Sequence, residues 1–491
     1  MGRLTSWSVQ RFWTLDAMAV DRSPRALVPV LVFVGTVVAV ISSLGAPLVP
    51  AVAETMRTTL PGAQWSLTAT LLVGAVATPV VGRLGDGPHR RGVVLAVLAV
   101  VTLGAVLAAL PLGLGWLVAG RALQGVGLGL TPLAMATARE ALEGDRSRST
   151  IAVLSVTVVS GVGLGYPLAG LVAELGGLHA AFWAGAGVSL AALLACAAVL
   201  PPSTAAPRGR LDVVGAVLLG AGVAGLLFAL GQVEVWGWAS PLLWALAAGS
   251  AVALAAWVGW ERRTAWPLVD LRLARGRPAL TAHAAALLVG LSHYLLLTAV
   301  PVLAQAPVSE RAGFGTSIVV AGLTLLPFSA ASVLGGRLAR LLADRAGRHV
   351  VLPVAAGVQG AAFVLFALLR SDLWQLFLVM AVAGLGVGAA FTAFPALVVS
   401  AVPPSESGSA MSLNQVLRYV GFALGSALTA TVLAAAPSSG AAAPAAGGYT
   451  VLAVVGAAVC ATTALVAWLG LGSRRASPER AATPGGQLSA R

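Results

Sequence analysis

The sequence predicts an all-α protein embedded in a membrane, built as two bundles of six helices with one further helix pair inserted between them. Three observations carry this. Fourteen stretches are long and apolar enough to cross a bilayer. When those stretches alternate in direction, the arginines between them gather on one side. Charged loops and glycine steps of the first half return in the second at an offset of 258–260 residues.

The chain is 58% hydrophobic and 10% charged, with a mean hydropathy of +0.93. A soluble protein of 491 residues could not cover its surface with so few charges. The apolar runs are 27–51, 64–84, 92–111, 115–137, 150–173, 179–200, 212–231, 240–260, 280–303, 316–336, 350–369, 373–400, 409–434 and 449–471. Residues 1–25 lack the apolar core of a signal peptide and read as a cytoplasmic lead, with Trp7, Phe12 and Trp13 suited to headgroups. The net charge is +13, yet it is not gathered on a soluble face, which excludes a nucleic-acid partner. Cys196 and Cys460 both lie inside apolar runs, so no disulfide framework is implied. No Walker motif, metal-ligand spacing or sizeable soluble domain is present, which excludes ATP-driven pumping and enzyme chemistry and leaves no cofactor or metal to expect.

All 30 basic residues are arginine. From an inside N-terminus, eight fall in the lead and tail, seventeen in loops and helix ends on that same side, three on the other side (Arg57, Arg311 and Arg370), and two within runs. The positive-inside rule then puts both termini in the cytoplasm of a multi-pass cell-membrane protein.

The repeat pairs Asp86 with Asp344, Gly125, Gly127 and Gly129 with Gly384, Gly386 and Gly388, and Gly161 and Gly165 with Gly421 and Gly425. Because the offset exceeds half the chain, something lies between the copies, and runs seven and eight fit. The expected organisation is a lead (1–25), a first six-helix bundle (26–200), the inserted pair with a cytoplasmic linker (201–279), a second six-helix bundle (280–471) and a tail (472–491). Two similar bundles with a site between them form the rocking architecture of secondary transporters.

Each run contributes its own signals. Ser42 and Ser43 lie toward the end of the first, and Glu54 follows it as a solvated cap or a protonatable group. After the second run, GRLGDGPHRR offers Asp86, Arg90 and Arg91 as a charge clasp between bundles or as a solvated turn, with Asp344 and Arg348 as counterparts. The fourth run holds Arg121 about 10 Å deep, where it either lines a cavity or snorkels outward. Gln124 and Gly125 share its face at i+3 and i+4. The fifth run is a glycine ladder, Gly161, Gly165 and Gly170 with Pro167, that suits close helix packing, and Tyr166 adds a hydroxyl. Gly82, Gly125, Gly129, Gly421 and Gly425 read as packing positions too. Glu174 follows as a second outer acid. His293, beside Ser292 and Tyr294 in the ninth run, is a core residue or a group that titrates near neutral pH. Arg418 in the thirteenth lies near the midplane, flanked by Asn414 and Gln415, and either faces a cavity or bonds carbonyls for structure.

These motifs resemble the major facilitator superfamily, specifically its fourteen-span branch of drug:proton antiporters. Gly82, Leu84, Asp86, Arg90 and Arg91 fit G-x-L-a-D-r-x-G-r-r, with Gly87 and His89 departing from it. Arg121, Gln124 and Gly125 fit R-x-x-q-G, and Gly161, Gly165 and Gly170 fit the antiporter ladder with its proline moved by one. Gln64-Trp65 and the segment from Asn414 to Gly425 are also similar. The resemblance implies proton-coupled export of amphipathic small molecules by a carrier that works as a monomer in the lipid bilayer. The branch usually carries an aspartate in helix 1, where this chain has Val40, Ile41 and Ser42. The proton sites that remain are His293, Glu54 and Glu174, and the alternative is a metabolite carrier, uniport or import, without proton coupling.

Overall fold

The computed structural model describes residues 24–85, 88–203, 212–269, 271, 276–308, 313–399, 407–435 and 446–471. Every regular element among them is a helix. Twelve helical segments are long and apolar enough to cross a membrane.

The first run breaks before its end. Helix α1 (Pro24–Ser43) gives way to a 3-10 turn (Ala46–Leu48) and then to α2 (Val49–Thr55). Pro47 and Pro50 cannot donate the backbone bonds that would carry α1 onward. Helices α3 (Leu60–Gly85) and α4 (Arg90–Ala109) follow. The fourth run is two twelve-residue helices, α5 (Leu114–Gly125) and α6 (Leu130–Ala141), joined by a 3-10 turn at Val126–Gly129. Runs five and six form one element, α7 (Gly144–Val199), whose Gly177 sits at φ +80° and ψ 171°. That conformation suits glycine and turns the chain. The charged loop expected over 138–149 therefore shrinks to the two residues between α6 and α7.

Helices α8 (Val213–Trp236) and α9 (Pro241–Glu261) form a hairpin. Then come α10 (Arg277–Gln305), α11 (Ile318–Leu323), α12 (Leu326–Ala346), α13 (Arg348–Leu368), α14 (Leu373–Val399), α15 (Ser407–Ala434) and α16 (Ala446–Leu471).

Contacts sort the helices into groups. In the first, α7 packs on α1 and α4, and α5 on α3 and α4. In the second, α10 packs on α15 and α16, and α14 on α12 and α13. The groups meet along two seams, α3 against α15 and α7 against α11 and α12. The α8–α9 hairpin sits outside the first seam, α8 touching both α3 and α15.

Glycines set the closest approaches, and they do so in register. A Cβ on Gly125 would strike the Thr70 carbonyl oxygen of α3, and one on Gly384 the Phe328 carbonyl oxygen of α12. Gly129 presses on Val81, and Gly388 on the backbone of Ser332. Gly421 and Gly425 meet the Leu287 and Leu291 carbonyls of α10. Gly82 does not belong with them, because a Cβ there would meet nothing within 4 Å. The side that a helix turns to its neighbours decides this, and at Gly82 that side faces away. Gly165 lies on α7. The surroundings of Gly161 lie outside the description.

Candidate functional site

Arg121 is fully enclosed, so it does not snorkel. The turn that ends α1 frees the Ile41 carbonyl, and Arg121 Nη1 donates to it at 3.1 Å. Its Nε donates to the Ser66 carbonyl of α3 at 3.1 Å, and Nη1 also donates to Gln124 Oε1. The arginine thus ties α1, α3 and α5 together. Its Nη2 is enclosed with no acceptor.

The second group answers across the seam. His293 stacks on Phe328 at 4.6 Å and meets Tyr294, Phe422 and Phe391 edge-on at 5.3, 5.5 and 6.3 Å. It makes no hydrogen bond among the described residues. The Arg418 guanidinium lies over the Phe391 ring at 4.6 Å and donates to Gln415. Its Nε is enclosed without an acceptor. Tyr294 stacks on Phe422 at 4.4 Å and lies within electrostatic reach of Arg121 and Tyr166. Asn414 is fully enclosed and donates to the Ala282 carbonyl at 3.0 Å, which makes it a tie between α15 and α10 instead of a cavity residue. The side chains of Ser42 and Ser43 lie outside the description.

At the arginine-rich face, Arg90 Nε donates to the Gly85 carbonyl at 2.8 Å, and its Nη1 pairs with Glu140. Ser203 donates to both Glu140 oxygens, at 2.9 and 3.0 Å. Arg91 donates to the Ala197 carbonyl at 2.9 Å. Asp86 lies outside the described residues. Asp344 and Arg348 are exposed and form no ion pair with each other or with any described residue. The described part of the expected clasp thus lies within the first group.

At the opposite face the groups touch. Glu174 accepts from the Val319 amide at 2.8 Å, and Gln305 donates to the Pro47 carbonyl at 3.0 Å. Gly170 meets the Ile318 backbone, and Gly322 meets the backbone of Tyr166 and Pro167. Glu54 is exposed. Further in, Gln64 and Thr68 of α3 bond Ser426 of α15 at 2.8 and 3.1 Å.

The Major Facilitator Superfamily model matches residues 31–426, with a second match over 283–490. The chain belongs to the Major Facilitator Superfamily. Two uncharacterised MFS-type transporters of Mycobacterium tuberculosis are 29% identical over 416 residues, 81% of this chain and 58% of theirs. The chain thus spans less than two thirds of their length. A triacylglyceride transporter of Mycolicibacterium smegmatis is 29% identical over 388 residues, covering 73% of this chain and 66% of its own. A tetracenomycin C resistance and export protein of Streptomyces glaucescens is 27% identical over 407 residues, covering 81% and 73%. The crystal structure of a nucleoside transporter superposes with a TM-score of 0.62 at 13% identity, over 90% of this chain and 99% of that one, and shows the fold alone.

Within this superfamily member, several polar residues escaped the sequence reading. Glu140 pairs with an arginine fifty positions away, and nothing in a helix end marks such a partner. Ser426 follows Gly425 but projects from another face of the helix, toward α3 instead of α10, so the glycine step does not mark it. Asp212 caps α8 by accepting from the Gly215 amide at 2.8 Å and from Trp260 Nε1 at 2.9 Å. The enclosed Glu261 accepts from Trp257 Nε1 at 3.0 Å and from the Val269 amide at 3.4 Å. Together they fasten the linker after α9 beneath the hairpin.

Proposed function

We propose that this chain is a secondary transporter that exports amphipathic small molecules by alternating access, with proton exchange as the coupling reaction. The observation that carries the reading is that buried polar side chains of both helix groups lie within electrostatic reach of one another, Arg121 and Tyr166 of the first with Tyr294 of the second, which adjoins His293 and Arg418. Such a site can face either side only if the groups rock. The ties named at the face away from the arginines fit a carrier closed to the outside. The export name of the Streptomyces relative supports the direction.

Fourteen spans remain the preferred count. The two passes beyond the twelve apolar segments are the broken helix 114–141 and the extra arm of α7. Fifty-six residues rise about 84 Å as a single helix, far more than the roughly 30 Å of a bilayer core, so α7 has to cross twice with Gly177 at the turn. In this reading α8 and α9 are the inserted pair, helices 26–200 and 280–471 are the two rocking bundles, and both termini are cytoplasmic in the cell membrane.

The deciding experiment is flux in proteoliposomes with an imposed pH gradient, across dyes, antibiotics and a triacylglyceride. Export of a dye or antibiotic against its gradient is expected. Movement of the lipid alone would assign the carrier to the cargo named for the Mycolicibacterium relative. Proton coupling is tested by His293→Gln, Glu54→Gln and Glu174→Gln. If His293 carries the proton, its variant alone loses pH-driven flux yet keeps downhill exchange. Survival in all three favours the uncoupled metabolite carrier.

A further inference from the structure

We infer that the site around Arg418 binds an organic anion with a flat apolar body. The inference names the cargo of the site proposed above and rests on that reading for transport, while the anion site itself stands on side chains.

The charge balance comes first. No Asp or Glu falls inside the fourteen apolar runs except Asp212, at the first position of its run. Arg121 and Arg418 make no ion pair with any described residue. A guanidinium held within a membrane protein keeps its charge and calls for a counter-charge or a full set of acceptors. Among the described residues neither arginine has that set, because Arg121 Nη2 and Arg418 Nε are both enclosed without an acceptor there. The hydroxyls of Tyr166 and Tyr294 also make no hydrogen bond among the described residues. Four polar groups thus keep unused donor capacity among the described residues, and no described carboxylate uses it.

The aromatic rings give the second half of the description. Phe391 occupies one face of the Arg418 guanidinium, which leaves the edge N–H groups for an anion. Phe328, Phe391, Phe422 and Tyr294 surround His293 within 6.3 Å. These surfaces favour stacking of a planar ring system. A cationic ligand would instead meet two guanidiniums with no carboxylate to offset them. An anion leaving the cell also moves with an inside-negative potential. The absence of an acid at Val40, Ile41 and Ser42 therefore hinders export of an anion less than export of a cation.

The test uses the full chain and one ring system in three charge states: 2-naphthalenesulfonate, 2-naphthol and 2-naphthyltrimethylammonium. Binding is read by calorimetry on purified protein, and flux in proteoliposomes. The sulfonate is expected to bind at least tenfold more tightly than the other two. Arg418→Gln should weaken the sulfonate tenfold or more and 2-naphthol less than twofold, with Arg418→Lys between. Arg121 also ties three helices, so its variants can fail to fold, and Arg418 carries the test. Equal or tighter binding of the ammonium, or unchanged sulfonate binding in Arg418→Gln, overturns the inference. Sulfonate binding with no flux of any probe leaves the anion site standing and defeats the transport reading. Flux of the ammonium alone does the reverse.

Discussion

Gly384 and Gly125 occupy matching places, each against a carbonyl oxygen of the helix it crosses. Gly384→Val should overpack that crossing at a cost of about 1–3 kcal/mol, seen as a lower melting temperature and loss of monodispersity in gel filtration. Gly82→Val, pointing into open space, should leave both unchanged. The glycine steps were legible because small residues at regular spacing mark close crossings, but a glycine does not reveal which way it faces, and Gly82 shows the limit. The partners of Arg121 were half legible. Gln124 could be placed on its face by helical spacing, whereas the Ile41 carbonyl becomes free only because α1 ends nearby. Glu140→Gln removes the charge facing Arg90 at a partly exposed site. It should cost about 1 kcal/mol or less, measured by thermal unfolding in detergent, because the Gly85 carbonyl continues to hold Arg90 Nε.

Among the elements, α7 shows most clearly how much an apolar pattern can carry. The gap between runs 150–173 and 179–200 brackets Gly177, so the sequence located the turn although the helix is hydrogen-bonded nearly throughout. Gly177→Ala forces a side chain into φ +80° and should destabilise by about 1 kcal/mol. Gly187→Ala, on the same helix with free space around it, should be neutral in the same unfolding assay. The break in the fourth run was not legible. Hydropathy is continuous through Val126–Gly129, and the tighter turn accompanies tertiary contacts of Gly127 with Ile41 and Val101. The repeat offset leaves room for the α8–α9 hairpin between the two copies, but its seat beside α3 and α15 depends on surfaces that one sequence does not rank.

For the molecule as a whole, the topology proposal makes a direct forecast. In a Cys196→Ala, Cys460→Ala background, single cysteines at Arg57, Gly177, Trp238 and Ser371 should react with an impermeant thiol reagent added outside intact cells. Cysteines at Glu143, Ser203, Arg263 and Gly347 should react only after permeabilisation. Outside labelling at Glu143 would refute the fourteen-span arrangement. Closure at the far face gives a second forecast. Glu174→Ala removes the carboxylate that accepts from the Val319 amide, and should raise the reactivity of a cysteine placed at Tyr166, now enclosed. An unchanged rate would mean that glycine packing alone seals this face. Composition and the long apolar runs made the multi-pass helical fold legible. The aromatic setting of His293 was not, because Phe328, Phe391 and Phe422 come from three different helices.

The seat of α9 has a practical consequence. It packs chiefly on α8, leaves most of its surface free of protein, and is joined to α8 by a short turn through Trp238. At 49.0 kDa, a protein of this kind offers little contrast beyond the detergent belt in electron cryomicroscopy. A rigid helical fusion carried across the Gly237–Ser240 turn would add an alignment landmark there.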